Sequence, residues 1–416
     1  MKLGERIQEV FDCRAANAPC AGHGAVSGVL APEGAMARQS VYLDHNASTP
    51  LRPEARAALF AALDLTGNPS SVHAHGRALR NLVETGRQQL ARLCGAEAKQ
   101  VVFTGSATEA ITQAVFGGVR TFASGAIVLS AGEHAAVAKA AEATGLPLWT
   151  IGLDGEGRID LDQLAAALAR ADAENVTLLV ALHWVNNETG VVQPVERINT
   201  MVGPTRHTLF IDAVQALGKL DLDFAASAPD MMAVSGHKIG APAGIGALLV
   251  KGHADLVRLI PGGGQEQGRR GGTESAPLIA AFGAAAEASA YDRQAMQALT
   301  ERVEAGLIAM APDCVVFGRG ATRSGNVTNF AVPGLGNATA MMALDLMGLS
   351  VSSGSACSSG KVGASHVLAA MGVPRDLANC ALRVSFGWNS TMADAEAFLA
   401  GFETLLLRNR RDGKAA

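Results

Sequence analysis

The stretch Pro229-Asp230-Met231-Met232-Ala233-Val234-Ser235-Gly236-His237-Lys238 is a short apolar run closed by small and polar residues, with a lysine at its end. A second run, Thr208-Leu209-Phe210-Ile211-Asp212-Ala213-Val214-Gln215, stands upstream and carries one carboxylate near its tail. Further apolar runs of the same kind are Val101-Val102-Phe103-Thr104, Ala126-Ile127-Val128-Leu129, Thr177 to Leu182, and Ile245 to Val250. Between and before them, Arg52 to Leu65, Gly76 to Cys94 and Asp160 to Arg170 carry helical spacing, and Pro53 suits a first helical turn. Apolar strands separated by helices predict an α/β fold whose mostly parallel sheet is covered on both faces. Ligands of such sheets bind at the carboxyl ends of the strands. Asp212, Lys238 and the loop Gly105-Ser106-Ala107-Thr108 all fall at such ends. After about Tyr291 the pattern changes to helix followed by shorter strands, which predicts a smaller α+β domain.

The chain has 416 residues, which favours one large domain plus a smaller one. Hydrophobic residues make up 49% and aromatics only 4%, so the core is expected to be aliphatic and alanine-rich. A net charge of −4 gives no electrostatic case for nucleic acid or an anionic membrane. No apolar stretch approaches the ~18 residues needed to span a bilayer, and the N-terminus has no continuous apolar core of a secretory signal. Six cysteines are scattered without a C-x-x-C pair. That usage predicts reduced thiols in the cytoplasm, with neither a disulfide framework nor a metal site. Residues 1–40 have little that could pack and read as a loose extension; Cys13, Cys20 and His23 lack a fourth ligand at a zinc-like spacing.

A lysine and a carboxylate at the ends of two neighbouring strands are the pair that a pyridoxal phosphate site requires. The lysine forms the Schiff base and the acid keeps the pyridinium nitrogen protonated. The loop Gly105 to Thr108 has the makings of a phosphate cup, since small residues let backbone N–H groups approach an anion and the next helix offers its positive end. His134 again follows a strand, where a flat imidazole could stack on the ring and carry a proton. Asn187, within Asn186-Asn187-Glu188, could contact the phenolic oxygen. Cys357 stands in Ser352-Ser353-Gly354-Ser355-Ala356-Cys357-Ser358-Ser359-Gly360-Lys361, too rich in Ser and Gly to bury much apolar surface. An exposed thiol in such a loop is placed to react. The same stretch fails as a nucleotide loop, because five residues separate its glycines and Val362 replaces the required Ser or Thr.

Taken together, these stretches resemble the cysteine desulfurases, fold-type I pyridoxal phosphate enzymes of the class V aminotransferase group. The resemblance runs from about Val41 to about Phe402. It rests on Tyr42 to Pro50, Gly67 to His73, Asn186-Asn187-Glu188, Asp212-Ala213-Val214-Gln215, Ser235-Gly236-His237-Lys238, Gly271-Gly272-Thr273-Glu274 and Ser353-Gly354-Ser355-Ala356-Cys357. The last motif separates desulfurases from transaminases that share the lysine. The long Ser/Gly loop is similar to that of group-I desulfurases of the nitrogen-fixation and iron–sulfur-cluster type.

The resemblance implies a large domain over 54–291 around a mostly parallel seven-stranded sheet. It also implies a small α+β domain from 41–53 and 292–409 that carries the mobile cysteine loop. It implies that Lys238 holds the cofactor and moves protons, Asp212 pairs with the ring nitrogen, Gln215 and Asn187 fix the phenolic oxygen, and His134 stacks on the ring. Ala107, Thr108, Ser235 and His237 would hold the phosphate, and Thr273 would reach the phosphate of a partner subunit in a homodimer. Asn187 and Arg383 would bind L-cysteine, with Arg383 gripping its carboxylate. Cys357 would take the sulfur as a persulfide, release L-alanine, and deliver the sulfur to an acceptor or iron–sulfur scaffold protein, where it could transiently meet a nascent cluster. A selenocysteine lyase or a C–S β-lyase on the same scaffold would not need Cys357. The chain departs from the usual pattern at Gly105-Ser106, which inverts a common Ser-Gly order, at Ala243 where a lysine is frequent, and at Gln267 where an arginine is common.

Overall fold

The computed structural model describes residues 40–226, 229–254, 258–289, 292–353 and 365–412. Its strands, in chain order, are β1 (Val41–Tyr42), β2 (Val101–Thr104), β3 (Ala126–Ser130), β4 (Leu148–Ile151), β5 (Leu178–His183) and β6 (Thr208–Asp212). They continue with β7 (Met231–Ser235), β8 (Gly246–Val250), β9 (Val315–Val316), β10 (Val327–Ala331), β11 (Leu349–Ser350) and β12 (Ala381–Ser385). Seven of them form one sheet in the order β2-β8-β7-β6-β5-β3-β4. β8 runs antiparallel to both its neighbours; all other pairs are parallel. The mostly parallel α/β sheet expected from the apolar runs is therefore present. Every residue of β2, β3, β5, β6, β7 and β8 is buried, as continuous apolar runs require.

Alternate residues of these strands feed two separate cores. Val101, Phe103, Val128 and Val180 face one, whereas Val102, Ile127, Leu129 and Leu179 face the other. The period of two along a strand divides them. On the first face, helices Ala74–Leu93 and Ala276–Glu287 lie close together. A Cβ on Gly283 would stand 2.6 Å from the Gly86 Cα, so only glycine permits that approach. β4 has no counterpart among the strands expected from sequence. It sits at the sheet edge and is only partly buried, so its four residues do not form a continuous apolar signal; Arg170 covers Trp149 at 4.1 Å from the ring centroid.

A second, antiparallel sheet has the order β12-β10-β9. Its core centres on Phe330, whose ring meets Phe398 and Phe402 at 6.2 and 5.4 Å. β1 pairs with β11 in parallel, and Leu43 joins the same core. The segment just after β1 is thereby held beside β12, and it proceeds from there to the large sheet.

Glycines dominate Gly262 to Thr273, a composition that suggests a loop with nothing to pack. The structure corrects this at Glu266, which is buried. Its carboxylate accepts from Arg87 Nη1 and Nη2 at 2.7 and 2.9 Å and from the Phe103 backbone N–H at 2.9 Å. Both Glu266 and Gln267 adopt positive φ, 49° and 58°, so the ion pair holds a loop whose backbone is strained for non-glycine residues. Glu266→Ala strips the buried Arg87 of its close, two-pronged counter-charge and leaves it the half-exposed Glu84 at 3.4 Å. The expected loss of unfolding free energy is about 3–5 kcal/mol in denaturant titration; a loss below about 1 kcal/mol would show that water replaces the carboxylate.

Candidate active site

The ends of β5, β6 and β7, the helix start after β2 and the segments around 46–47, 132–136 and 185–187 converge on a cavity of about 300 Å³. β6 delivers Asp212 as its last residue. β7 ends at Ser235, and the 3₁₀ turn Gly236–Lys238 follows at once. The segment 46–52 is laced to that turn. The Thr49 N–H donates to the His237 carbonyl at 3.0 Å and the Arg52 N–H to the Gly240 carbonyl at 2.9 Å. Lys238 Nζ donates to the carbonyl oxygens of Asn46 and Ala47. The lysine head is thus placed by backbone acceptors that follow β1, far away in sequence.

Of the residues singled out from sequence, Ala107, Thr108, His134, Asn187, Asp212, Gln215, His237 and Lys238 line this cavity. Ser235 is buried at the end of β7 and is not on the cavity wall. Arg383 is buried in β12 behind Asn187. Its Nη1 donates to the Asn187 carbonyl at 3.0 Å and its Nη2 to Asp44 Oδ1 at 2.7 Å, while Nε has no hydrogen-bond partner among the described residues. Thr273 lies elsewhere, on a cleft of about 170 Å³ shared with Glu266, Arg270 and Glu274. Cys357, in 354–364, falls outside the described residues.

The inverted Gly105-Ser106 pair has a local explanation. Ser106 is the N-cap of helix Ala107–Thr121, its hydroxyl accepting from the Glu109 N–H at 3.1 Å. Glu109 in turn accepts from the Gly105 N–H at 2.8 Å and from Arg270 Nε at 2.8 Å. Ala107 and Thr108 occupy the first two helical positions, whose N–H groups have no intrahelical acceptor. A Cβ on Gly246 would lie 2.6 Å from the Ala107 nitrogen, so glycine at the start of β8 lets this helix start seat against the sheet.

His134 is an N-cap as well. Its Nδ1 accepts from the Ala136 N–H at 3.1 Å, which places the proton of the neutral ring on Nε2. In that tautomer Nε2 is a donor, and Nδ1 accepts a proton only in place of the cap. Asp212 is raised above the ordinary carboxylate range by burial, against the pull of the Val214 N–H and the charges of His134 and His183; the Val214 bond measures 2.9 Å. His237 is pushed down to about 4 by burial and by the neighbouring Lys238 charge, so it is neutral at pH 7.

Both described flanks of the Cys357 segment are tied to residues that adjoin the cavity wall: Arg383 and Glu188 beside Asn187, and Glu133 between Gly132 and His134. Ser352 exchanges two backbone hydrogen bonds with Arg383, at 3.1 and 2.7 Å. Ser365 donates its hydroxyl to Glu188 Oε2 at 2.5 Å, and His366 Nε2 meets the Glu133 carbonyl at 2.9 Å. Burial pushes Glu188 up to about 7, with the Ser365 hydroxyl, Arg383 and His134 pulling against it. A carboxyl raised in the folded state holds its proton more tightly there than in the unfolded chain. Its contribution to stability is complete below its ordinary value of 4.5 and is lost as pH rises to about 7. Glu188→Gln removes that titration. The wild type should lose stability relative to this variant between about pH 5 and about pH 8, by up to roughly 3 kcal/mol. Parallel pH dependences in denaturant titrations of the two proteins would contradict it.

The structure also brings in residues that sequence reasoning passed over. Asn46 accepts from Lys238 and Gln215 through its carbonyl. Lys219 is buried behind Gln215. His183 lines the cavity and donates from Nδ1 to Glu133 at 2.8 Å. Asn46 stood in a motif quoted only for its resemblance. Lys219, four residues after Gln215, carried a signal in that spacing once the chain there is read as helical turns.

Comparison with known proteins extends this geometry. The class-V aminotransferase family matches residues 41–398. Cysteine desulfurase 2 of Trichormus variabilis is 37% identical over 367 residues, covering 86% of this chain and 91% of that protein. The X-ray structure of a NifS-like protein from Rickettsia africae superposes with a TM-score of 0.80 at 30% identity, over 88% of this chain and 99% of that one. The structure of SspA in complex with cysteine gives 0.72 at 30% identity, over 83% and 99%. The likeness spans both sheets and the cavity at the strand ends of the larger one, and the chain belongs to the class-V aminotransferase family, with the cysteine desulfurases.

Proposed function

We propose that this protein is a pyridoxal phosphate-dependent cysteine desulfurase that converts L-cysteine to L-alanine and takes the sulfur onto Cys357. The observation that carries the reading is the convergence of Lys238, Asp212 and the helix start at Ala107–Thr108 on one cavity, with both flanks of the Cys357 segment tied to Arg383 and Glu188, next to the cavity residue Asn187. A cavity of about 300 Å³ suits a small aromatic cofactor, and its donor set fits pyridoxal phosphate. An amine, a buried carboxylate, an imidazole and unpaired helix N–H groups stand around one space. None of the relatives compared above bears the name of a selenocysteine lyase or a β-lyase, the alternative reading.

When bound, pyridoxal phosphate supplies the electron sink that loosens bonds at the substrate Cα. The rest is the work of this chain's residues. Asp212 accepts the ring N–H and keeps that nitrogen protonated. Gln215 and Asn187 hold the phenolic oxygen, and His134 lies against the ring. Ala107, Thr108 and His237, which line the cavity, hold the phosphate through backbone and side-chain donors, while Ser235, buried off the wall, stands just before the turn that carries His237. Arg383 binds the L-cysteine carboxylate with N–H groups not already committed to Asp44 and Asn187, its unpartnered Nε among them. Lys238 Nζ, released from the cofactor, moves the proton at Cα. The Cys357 thiolate attacks the substrate Sγ; the new S–S bond forms as the Cβ–Sγ bond breaks, and the electron pair left on Cβ takes up a proton to make the methyl group of alanine. Alanine leaves and the persulfide remains for an acceptor or iron–sulfur scaffold protein. Incubation with ³⁵S-labelled L-cysteine, followed by non-reducing peptide mapping, tests this: label on the Cys357 peptide supports it, and label confined to free sulfide overturns it.

The two-domain division, 54–291 against 41–53 with 292–409, belongs to the same proposal, supported by the separate cores of the two sheets. So does a cytoplasmic location. Among the described residues no helix is long and apolar enough to cross a membrane. The active species is proposed to be a homodimer, because Thr273 lies away from its own chain's cavity, on a separate cleft. Thr273→Ala should weaken cofactor binding by about tenfold, the worth of one charge-assisted hydrogen bond, while leaving the protein folded. Light scattering at assay concentration should give twice the mass of one chain; a fully active monomer would contradict this.

A further inference from the structure

We propose that Lys219 is a positioning residue that locks the Gln215 amide with its N–H edge available to the cofactor cavity. The inference rests on the reading that Gln215 donates to the phenolic oxygen of pyridoxal phosphate. An amide can be turned either way, and only its partners decide which end is nitrogen. Here both ends are determined. Lys219 Nζ stands 2.6 Å from one end, and an amine hydrogen there requires an acceptor, so that end is Oε1. The other end lies 2.9 Å from the Asn46 carbonyl, which can only accept, so it is Nε2. One N–H of Nε2 is taken by Asn46, and the second is left for the cavity that Gln215 lines.

Lys219 is itself held. It is buried, and its second bond runs 3.0 Å to Asn46 Oδ1, which also accepts from Asn326 Nδ2 at 3.0 Å. Burial, with Lys238 and Arg383 nearby, lowers its pKa well below the ordinary lysine value. Its Nζ donates to both Gln215 Oε1 and Asn46 Oδ1. Asn46 presents its carbonyl to Lys238 as well, so a single buried amine sets the neighbours of both the Schiff-base lysine and the phenolic-oxygen donor. Without Lys219 the Asn46 carbonyl alone opposes a turn of the amide that would bring its own carbonyl toward the cavity, where it would repel a phenolate.

The test is a double-mutant cycle on cofactor binding. Apo protein is prepared as wild type, Lys219→Met, Gln215→Ala and the double variant, each checked for folding by circular dichroism. Pyridoxal phosphate dissociation constants are measured by fluorescence, and the long-wavelength band of the bound cofactor is recorded. Each single variant should weaken binding by about tenfold and shift the band alike. The double variant should lie within about twofold of the weaker single one, because one interaction underlies both. Binding by Lys219→Met equal to wild type, or losses that multiply in the double variant, overturns the role of Lys219 while leaving Gln215 as a cofactor contact. Wild-type binding by Gln215→Ala overturns both. If Lys219→Met does not fold, Gln215→Glu decides: it keeps the acceptor for Lys219 and removes the amide N–H. It should bind about tenfold more weakly, and equal binding overturns the proposal.

Discussion

Cys357→Ser should bind L-cysteine and the cofactor like wild type, yet release neither alanine nor sulfide, with turnover lowered by on the order of 10³-fold or more. The hydroxyl fills the place of the thiol but cannot attack sulfur at neutral pH, since only a thiolate is a competent nucleophile here. No other described thiol is suited to replace it. Burial holds the Cys94 thiol far above its ordinary value. Cys314 is pushed up to about 11 by burial and by Asp313 and Glu304, and Cys380 is buried with its sulfur directed to the Asp376 carbonyl. Replacing Cys94, Cys314 or Cys380 should leave turnover largely intact, as should replacing Cys13 or Cys20, which lie outside the described residues. Single-turnover spectroscopy with L-cysteine, followed by mass analysis for one added sulfur on the loop peptide, checks both halves. Undiminished alanine production by Cys357→Ser, or persulfide chiefly on another cysteine, would overturn the mechanism and favour a β-lyase. The His134 cap bears on this step: with Nδ1 accepting from Ala136, the ring is a proton donor in its resting tautomer, so a thiol proton must go to another acceptor or displace the cap.

Lys238→Ala should abolish covalent attachment of the cofactor and lower turnover by on the order of 10³-fold or more. Pyridoxal phosphate should still be retained noncovalently, since Asp212, Gln215, His134 and the helix start at Ala107–Thr108 remain in place. Borohydride reduction of the wild type, followed by peptide mapping, should put the cofactor on Lys238. Lys219 is the second amine of this region, but it is held by Gln215 and Asn46 and does not line the cavity. Label on Lys219, or on any other lysine, would sink the assignment.

Much of this was legible along the chain. The central strands announced themselves because a strand covered on both faces must be a continuous apolar run, and β2, β6 and β7 match their sequence patterns closely. Asp212 and Lys238 were legible because each closes such a run, and strand ends are where this architecture binds ligands. β4 was not, since an edge strand that is only partly buried has no such requirement. Glu266 was hidden by its glycine neighbours, because its partner Arg87 lies 179 residues away.

The amino-acid pattern by itself determined the α/β sheet, the strand-end placement of the lysine and carboxylate, and the Ser/Gly setting of Cys357. Those are local properties of hydrophobic periodicity and chain flexibility. Only the tertiary structure decided which groups hold them. Asn46 meets Lys238 across 192 residues and Lys219 across 173, and Ser365 reaches Glu188 across 177. These hydrogen-bond partners and the orientation of the Gln215 amide depend on atoms that the fold brings within about 3 Å of one another, and no spacing along the chain encodes that distance.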